Sequence, residues 1–488
     1  MREKLVTQGT IFARSFSRNE QKKLGYAAIV VSLLVTFNIF AVLTPYFSPL
    51  PVLKLQLSVD RSLRMLRINN SSMGDSEIVI ISDLNHENNI SSTVPQKLTS
   101  SDTPKNANVV CHKLARTEFC QLSGDVRIEG QSATAFGIRS AFSESPSWKI
   151  KPYARKRDNT ALKRVREWTI RSLAPNADQE NAGFPLCDRN HSVPAVLFSL
   201  GGYSLNNFHG FADILLPLFL TARKFNGEVQ FLVTDKNPLY VDKFGEAIRN
   251  LSSYELINID EEKETHCFTN AIVGLKRHND YNKEMYIDPS WSGFTMSDFR
   301  QFIRDAFALR NAAVAIKSKP RILILSRRRT RAFVNTEAMA RMAEQMGFDV
   351  VVEEGNANLT RFGQVVNSCD LMIGVHGAGL TNMVFLPENA ILIQVIPIGD
   401  FEWLARTDYE EPAKAMNLSY LEYKITPEES SLTQKYGRDH EVLKNAFAVG
   451  KRGWETFKAI YMAQNVSVDV DRFRPVLVRA LDLLKQRM

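Results

Sequence analysis

Hydrophobic and polar positions fall into three regimes along the chain. Leu24 to Thr44 (LGYAAIVVSLLVTFNIFAVLT) is an apolar run of 21 residues with no charge, closed by Pro45. That length spans a bilayer core, whereas a cleavable signal peptide has a shorter apolar core and a small-residue cleavage site. The run has no amphipathic face, which argues against a buried core helix, and we read it as an uncleaved anchor. Residues 60 to 108 (NNSSMGDSE, NHENNISSTV, TSSDTPKNAN) are polar, poor in aromatics and without periodicity, the pattern of an unfolded stem.

From Phe184 the pattern changes to apolar runs of strand length alternating with helical stretches. AVLFSL (195–200), a helix near 206–224, EVQFLV (228–233), a helix near 239–250, YELINI and AIVGLK form one series. RILILS after Pro320, a helix near 336–346, FDVVVEE, a helix near 359–368, LMIGVHG, a short helix and AILIQVIP form a second, and a helix at 471–487 closes the chain. Each series reads as a Rossmann-like unit. Between Cys111 and about Ala182 lie shorter extended pieces, GDVRIEG and WKIKPYARK among them, whose place is not set by pattern. The expected organisation is a cytosolic tail (1–23), an anchor (24–44), a lumenal stem (45–108), an N-terminal α/β domain (109–315) and a C-terminal Rossmann-like domain (316–488).

Composition agrees with a folded α/β body: 488 residues, 44% hydrophobic and 23% charged. The net charge of +8 suits an anionic ligand and is too thinly spread to argue for nucleic acid. Six basic residues (Arg2, Lys4, Arg14, Arg18, Lys22, Lys23) against two acidic ones precede the anchor, favouring a cytosolic N-terminus and a lumenal body. Asn-x-Ser/Thr sequons at Asn69, Asn70, Asn89, Asn190, Asn250, Asn358, Asn417 and Asn465 point the same way. The five cysteines show no CxxC or Cys/His metal spacing. In an oxidising lumen they allow up to two disulfides, Cys111–Cys120 closing the shortest loop; buried free thiols are the alternative.

Three stretches carry chemistry. In LMIGVHGAGLTN a strand ends at Val375, and His376, Gly377, Ala378 and Gly379 turn into a helix bearing Thr381 and Asn382. Small residues there let backbone N–H groups approach a diphosphate; the plainer reading is a turn that uses Gly for geometry. In RILILSRRRTR a buried strand runs into Arg327, Arg328, Arg329 and Arg331, whose guanidiniums reach the same diphosphate if the two strands are parallel. The alternative is a solvated charge run. In SLGGYSLNNFHGFADILLPLF, Gly201, Gly202, Tyr203 and Asn206 form a loop on the acceptor side, followed by His209 and Asp213 on one helical face. Either can take a proton from an attacking hydroxyl, Asp213 being the first choice because it is ionised without any shift. The alternative is a purely structural pair. No DxD pair marks a metal-bridged diphosphate, and Asp260-Glu261-Glu262 and Glu353-Glu354 read as solvated loops, so metal-independent catalysis is expected.

These stretches, with CDRNHSVPAVLF, VVNSCDLMIGVHGAGLTNMVFLP, ILIQVIP, EWLA and QNVSVDVDRF, resemble the plant branch of glycosyltransferase family 61 over about residues 111–488. Cys111, Cys120 and GDVRI also fit that branch; Leu205 departs from it, standing where the family commonly has Gly. The resemblance implies a GT-B fold, two Rossmann-like domains facing a cleft, in a single-pass type II Golgi membrane protein. It further implies inverting transfer of a pentose from UDP-xylose or UDP-arabinofuranose onto xylan, with no cofactor beyond the UDP-sugar and association with other xylan-synthesising enzymes. The competing expectations are a UDP-GlcNAc-dependent glycosyltransferase acting on protein glycans and a non-catalytic lumenal sugar-binding protein.

Overall fold

The computed structural model describes residues 108–138, 147–173, 184–278, 280, 282–315, 318–355 and 358–486. The expected anchor, the expected stem and the sequons at Asn69, Asn70 and Asn89 fall outside the described residues. Among the described residues no helix is long and apolar enough to cross a membrane. Thr99–Met488 forms one compact unit.

The unit holds two sheets. The C-terminal one is wholly parallel: β11 (Arg321–Leu325), β12 (Asp349–Glu353), β13 (Leu371–Val375), β14 (Ile391–Ile396) and β15 (Ser419–Lys424), in the order β12-β11-β13-β14-β15. Every residue of β13 and β14 is buried, as strands covered on both faces require, which is why they read as unbroken apolar runs. In this order the direction of winding reverses between β11 and β13, and ligands of open α/β sheets bind at the carboxyl ends of such a switch point. The closing helix, Val470–Lys485, is capped by Asp469, and its Phe473 meets Tyr423 of β15 edge-on.

The N-terminal sheet departs from the expected Rossmann-like half. Its parallel portion is β10 (Thr265–Val273), β7 (Ala195–Ser199), β8 (Gln230–Thr234) and the short β9 (Ile257–Asn258), with β6 (Arg189–Asn190) beside β10. It is widened by β1 (Asn108–Lys113), β2 (Glu118–Glu129), β3 (Thr134–Ile138), β4 (Ser147–Ile150) and β5 (Trp168–Leu173), with β2 antiparallel to β10. GDVRIEG and WKIKPYARK therefore belong to the sheet and its C-terminal rim, through contacts too distant along the chain for local pattern to show. Cys111 pairs with Cys120 across β1 and β2 and the two are disulfide-bonded; Cys187–Cys267 is a second disulfide, and Cys369 is a buried thiol that donates to Val365 O at 3.3 Å. Position 315 falls between the sheets, but the apolar core runs through it: Phe385 packs edge-on against Phe211 at 6.0 Å and Phe307 at 5.2 Å.

Candidate active site

At the switch point, the loop after β11 and the turn after β13 meet on one glycine. Gly377 sits at φ +143°, and a Cβ there would lie 2.6 Å from Arg331 Nη1 and 2.9 Å from Arg327 Nη1. Only glycine admits both guanidiniums. Arg331, itself left-handed at φ +53°, donates from Nη1 to the His376 carbonyl at 3.0 Å, and Arg327 Nε donates to Thr330 O at 2.8 Å. Among the described residues no carboxylate pairs with either arginine. Burial, with Arg327 as a like-charged neighbour, brings Arg331 from 12.5 down to about 10, and burial also lowers Arg327. Two partly buried cations packed on one glycine, with no carboxylate bonded to either, form an anion site.

A cavity of about 410 Å³ opens in front of Arg327, lined by Ser326, Arg327, Arg328, Arg329, Glu354, Ala378, Gly379 and Asn382 from the C-terminal half and by Asn207 and Lys243 from the N-terminal half; Arg331 stands against Gly377, next to this lining. Asn207 Nδ2 donates to Ala378 O at 3.2 Å, tying the halves together at the cavity wall. Burial lowers Lys243 to about 8. Arg328 is largely exposed and paired with Glu354 at 3.0 Å, so the four arginines divide by burial: Arg327 and Arg331 are half-buried on Gly377, whereas Arg328 and Arg329 line the cavity from its exposed rim. His376 is buried, its Nδ1 accepting from Gln394 Nε2 at 2.8 Å, and burial followed by Arg331 and Arg327 lowers it to about 3, so it is neutral. The segment Ala378–Phe385, carrying Thr381 and Asn382, is a 3₁₀ helix; Asn382 Nδ2 donates to Gly379 O at 2.8 Å.

The second centre lies two residues beyond Asn207. Asn206 caps the helical start Asn207–His209, after which Gly210–Leu215 winds as a π-turn, Leu216 N–H bonding Phe211 O five residues back. Such turns recur at functional sites. His209 and Asp213 do meet, His209 Nδ1 standing 2.9 Å from Asp213 Oδ2, but their situations reverse the order expected from sequence. Asp213 is fully buried. Its Oδ1 takes Arg277 at 3.0 Å and Arg155 at 3.4 Å, and its Oδ2 takes Tyr153 OH at 3.1 Å as well as His209. Burial alone would raise this carboxyl; Arg155, His209 and Arg277 together hold it well below the usual carboxylate range. A carboxylate so saturated is a poor proton acceptor. Being ionised, it accepts from Nδ1 of His209, which leaves Nε2 of that partly exposed ring as the nitrogen not engaged by the carboxylate.

Around this pair the acceptor-side loop forms a wall. Gly202, at φ +58°, lies against the Tyr153 ring; Tyr203 packs on His209 with ring centres 4.9 Å apart and bonds Asp158 through its hydroxyl at 3.2 Å. Gly201 packs on the Arg164 carbonyl, and Leu205 is exposed. Sequence reasoning missed Tyr153, Arg155, Arg277, Glu284 and Asp408. Arg277 follows AIVGLK at the carboxyl end of β10, a position that marks ligand-facing residues in parallel sheets. Glu284 binds Arg277 at 3.1 Å, Arg155 at 3.3 Å and also Arg116. Asp408, in a second π-turn over Arg406–Glu410, is pushed up to about 8, by burial first and then by Glu284.

Of the sequons within the described residues, Asn190, Asn250, Asn358 and Asn417 are exposed, whereas Asn465 is half-buried and accepts from Ala332 N at 3.1 Å. Asp260 is not a solvated loop residue: it accepts from Thr234, Asp235 N and Arg166. Glu353 and Glu354 pair with Arg361 and Arg328.

The fold and site define an α/β protein with a cationic cavity at a topological switch point and an Asp-oriented histidine beside it. The Glycosyltransferase 61 family model matches residues 208–393, which include the His209–Asp213 turn, the arginine loop and the His376–Gly379 turn. An alpha-1,3-arabinosyltransferase of Oryza sativa subsp. japonica is 43% identical over 378 residues, covering 76% of this chain and 64% of its own length. A beta-1,2-xylosyltransferase of the same species is 38% identical over 395 residues (76% and 83%), and a xylan glycosyltransferase of Arabidopsis thaliana is 34% identical over 433 residues (83% and 84%). The chain belongs to glycosyltransferase family 61. It spans just under two thirds of the arabinosyltransferase it matches.

Proposed function

We propose that this chain is an inverting glycosyltransferase that moves a pentose, arabinofuranose or xylose, from a UDP-sugar onto the xylan of the plant cell wall, as a Golgi type II membrane protein of GT-B arrangement. The observation that carries the reading is the pair Arg327 and Arg331 packed on Gly377, with no carboxylate paired to either among the described residues, together with a histidine held through Nδ1 by a buried carboxylate. The names of the relatives supply the pentose and the xylan.

In this reading an acceptor hydroxyl attacks the anomeric carbon from the His209 side. Nε2 of His209 takes its proton, and Asp213 holds the ring through Nδ1 and stabilises the imidazolium that forms. The bond to UDP breaks on the opposite face, which inverts the anomeric configuration. The charge developing on the diphosphate is met by Arg327, Arg331 and Lys243 and by the backbone N–H groups that open Ala378–Phe385, with no cation required. A donor screen without acceptor tests the enzyme reading. Slow hydrolysis of UDP-xylose or UDP-arabinofuranose is expected, and binding of UDP-sugars with no turnover would favour a sugar-binding protein instead.

A further inference from the structure

At the opposite end of β10 from the cavity, three ligand-type side chains converge. His266 is completely buried, yet its Nε2 has no hydrogen-bond partner; Glu262 Oε2 stands 3.5 Å from it, and Glu264 completes a group whose ligand atoms all lie within 4.8 Å of one another. The other ring nitrogen is accounted for: His266 Nδ1 is 2.9 Å from Nε2 of His191. That histidine is fixed by stacking on Phe268 at 4.5 Å and by the β6–β10 pairing, beside the Cys187–Cys267 disulfide. When Nδ1–H donates to His191, Nε2 turns a lone pair towards two carboxylates, so three acceptors face one another around a common point. At the surface Arg189 stands 3.9 Å from Glu264.

We propose that Glu262, Glu264 and His266 bind a divalent cation of Zn²⁺ type, and that this site is structural. One imidazole and two carboxylates are a donor set that zinc accepts, and an outer histidine bonded to the ligand histidine fixes its tautomer and orientation. Metal–ligand bonds of about 2 Å in tetrahedral geometry place ligand atoms ~3.3 Å apart. Glu262 and His266 already stand at 3.5 Å, and the exposed Glu264 closes the remaining gap by a rotamer change. The site is remote from the reaction: His266 and Val273 are separated along β10 by roughly 20 Å at ~3.3 Å per residue, and the Arg277 network lies beyond Val273. The cation would clamp the loop before β10 to β10 itself, with His191 bonded behind His266, leaving transfer itself untouched.

The test uses the full chain, without an affinity tag that binds metal, stripped with EDTA and then titrated with ZnCl₂. One equivalent should bind and raise the melting temperature, while UDP affinity is equal in the stripped and loaded protein. The surface variant Glu262→Gln/Glu264→Gln should fold, keep its UDP affinity and lose both zinc binding and the melting shift. His191→Phe, which leaves all three ligands in place, should weaken zinc binding about 10- to 100-fold. Absence of zinc binding by the wild type, or equal binding by the double variant, would overturn the proposal and leave His266 as an ordinary donor to Glu262. Because UDP affinity is read separately, failure here is distinct from failure of the transferase reading.

Discussion

Replacing Arg331 by Met should make the unliganded protein no less stable while removing much of its affinity for UDP. The guanidinium is lowered from 12.5 to about 10 by burial and by Arg327, a penalty of roughly 3 kcal/mol on the charged form. Against its relief stands the bond from Nη1 to His376 O, whose loss with a buried carbonyl left behind costs about 1–3 kcal/mol. The two nearly cancel, with a small gain for the variant. In the complex the balance reverses: a charge-assisted bond to phosphate is worth about 1.5–3 kcal/mol, so affinity should fall about 10- to 150-fold. Calorimetric titration with UDP and a thermal melt on the same samples measure both terms. Arg327→Ala should weaken UDP similarly, whereas Arg328→Ala, exposed and paired with Glu354, should cost less than about 1 kcal/mol. Unchanged UDP affinity in a folded Arg327→Ala/Arg331→Met protein would refute the reasoning and reduce the run to a solvated face.

Further outcomes are expected. His209→Ala should lower turnover about 10²- to 10⁴-fold with UDP binding near wild type, and Asp213→Asn should lower both turnover and melting temperature, because it unbalances Arg277 and Arg155; near-full turnover in folded His209→Ala would remove His209 as the base. Lys243, at about 8 against an ordinary 10.5, is charged below pH 8, so UDP affinity should fall as pH rises through 8 and Lys243→Met should abolish that step. The stability sign is opposite: the unfolded chain holds the extra proton between pH 8 and 10.5, so the cost of burying Lys243 is present below pH 8 and disappears as pH rises through that window. If the body is lumenal, endoglycosidase should shift the gel mobility through exposed sites such as Asn358 and Asn417, and protease applied to sealed microsomes should spare the C-terminal half; its digestion would contradict the type II topology.

The sequence disclosed the elements whose burial is written locally. β7, β8, β11, β13 and β14 are apolar runs because both faces are covered, and the meeting of Arg327 and Arg331 with Gly377 follows once β11 and β13 are parallel neighbours. The antiparallel widening of the first sheet was hidden, since β2 alternates buried and half-buried positions and finds β10 more than a hundred residues away. The pairing of His209 with Asp213 was visible from their spacing, but their roles were not. Those depend on Arg277, Arg155 and Tyr153, each about sixty residues from Asp213, which saturate the carboxylate and leave the imidazole as the usable base. A π-turn at 210–215 has no signature in a helical apolar pattern, although it sets which way Asp213 faces.

The central claim is tested most directly by incubating the purified full chain with a xylo-oligosaccharide and, in parallel, UDP-arabinofuranose, UDP-xylose and UDP-GlcNAc, followed by mass spectrometry and anomeric NMR of the product. The account predicts addition of single pentose residues from one of the two UDP-pentoses, with inverted anomeric configuration. No product from either UDP-pentose, transfer from UDP-GlcNAc alone, or retention of configuration would contradict it.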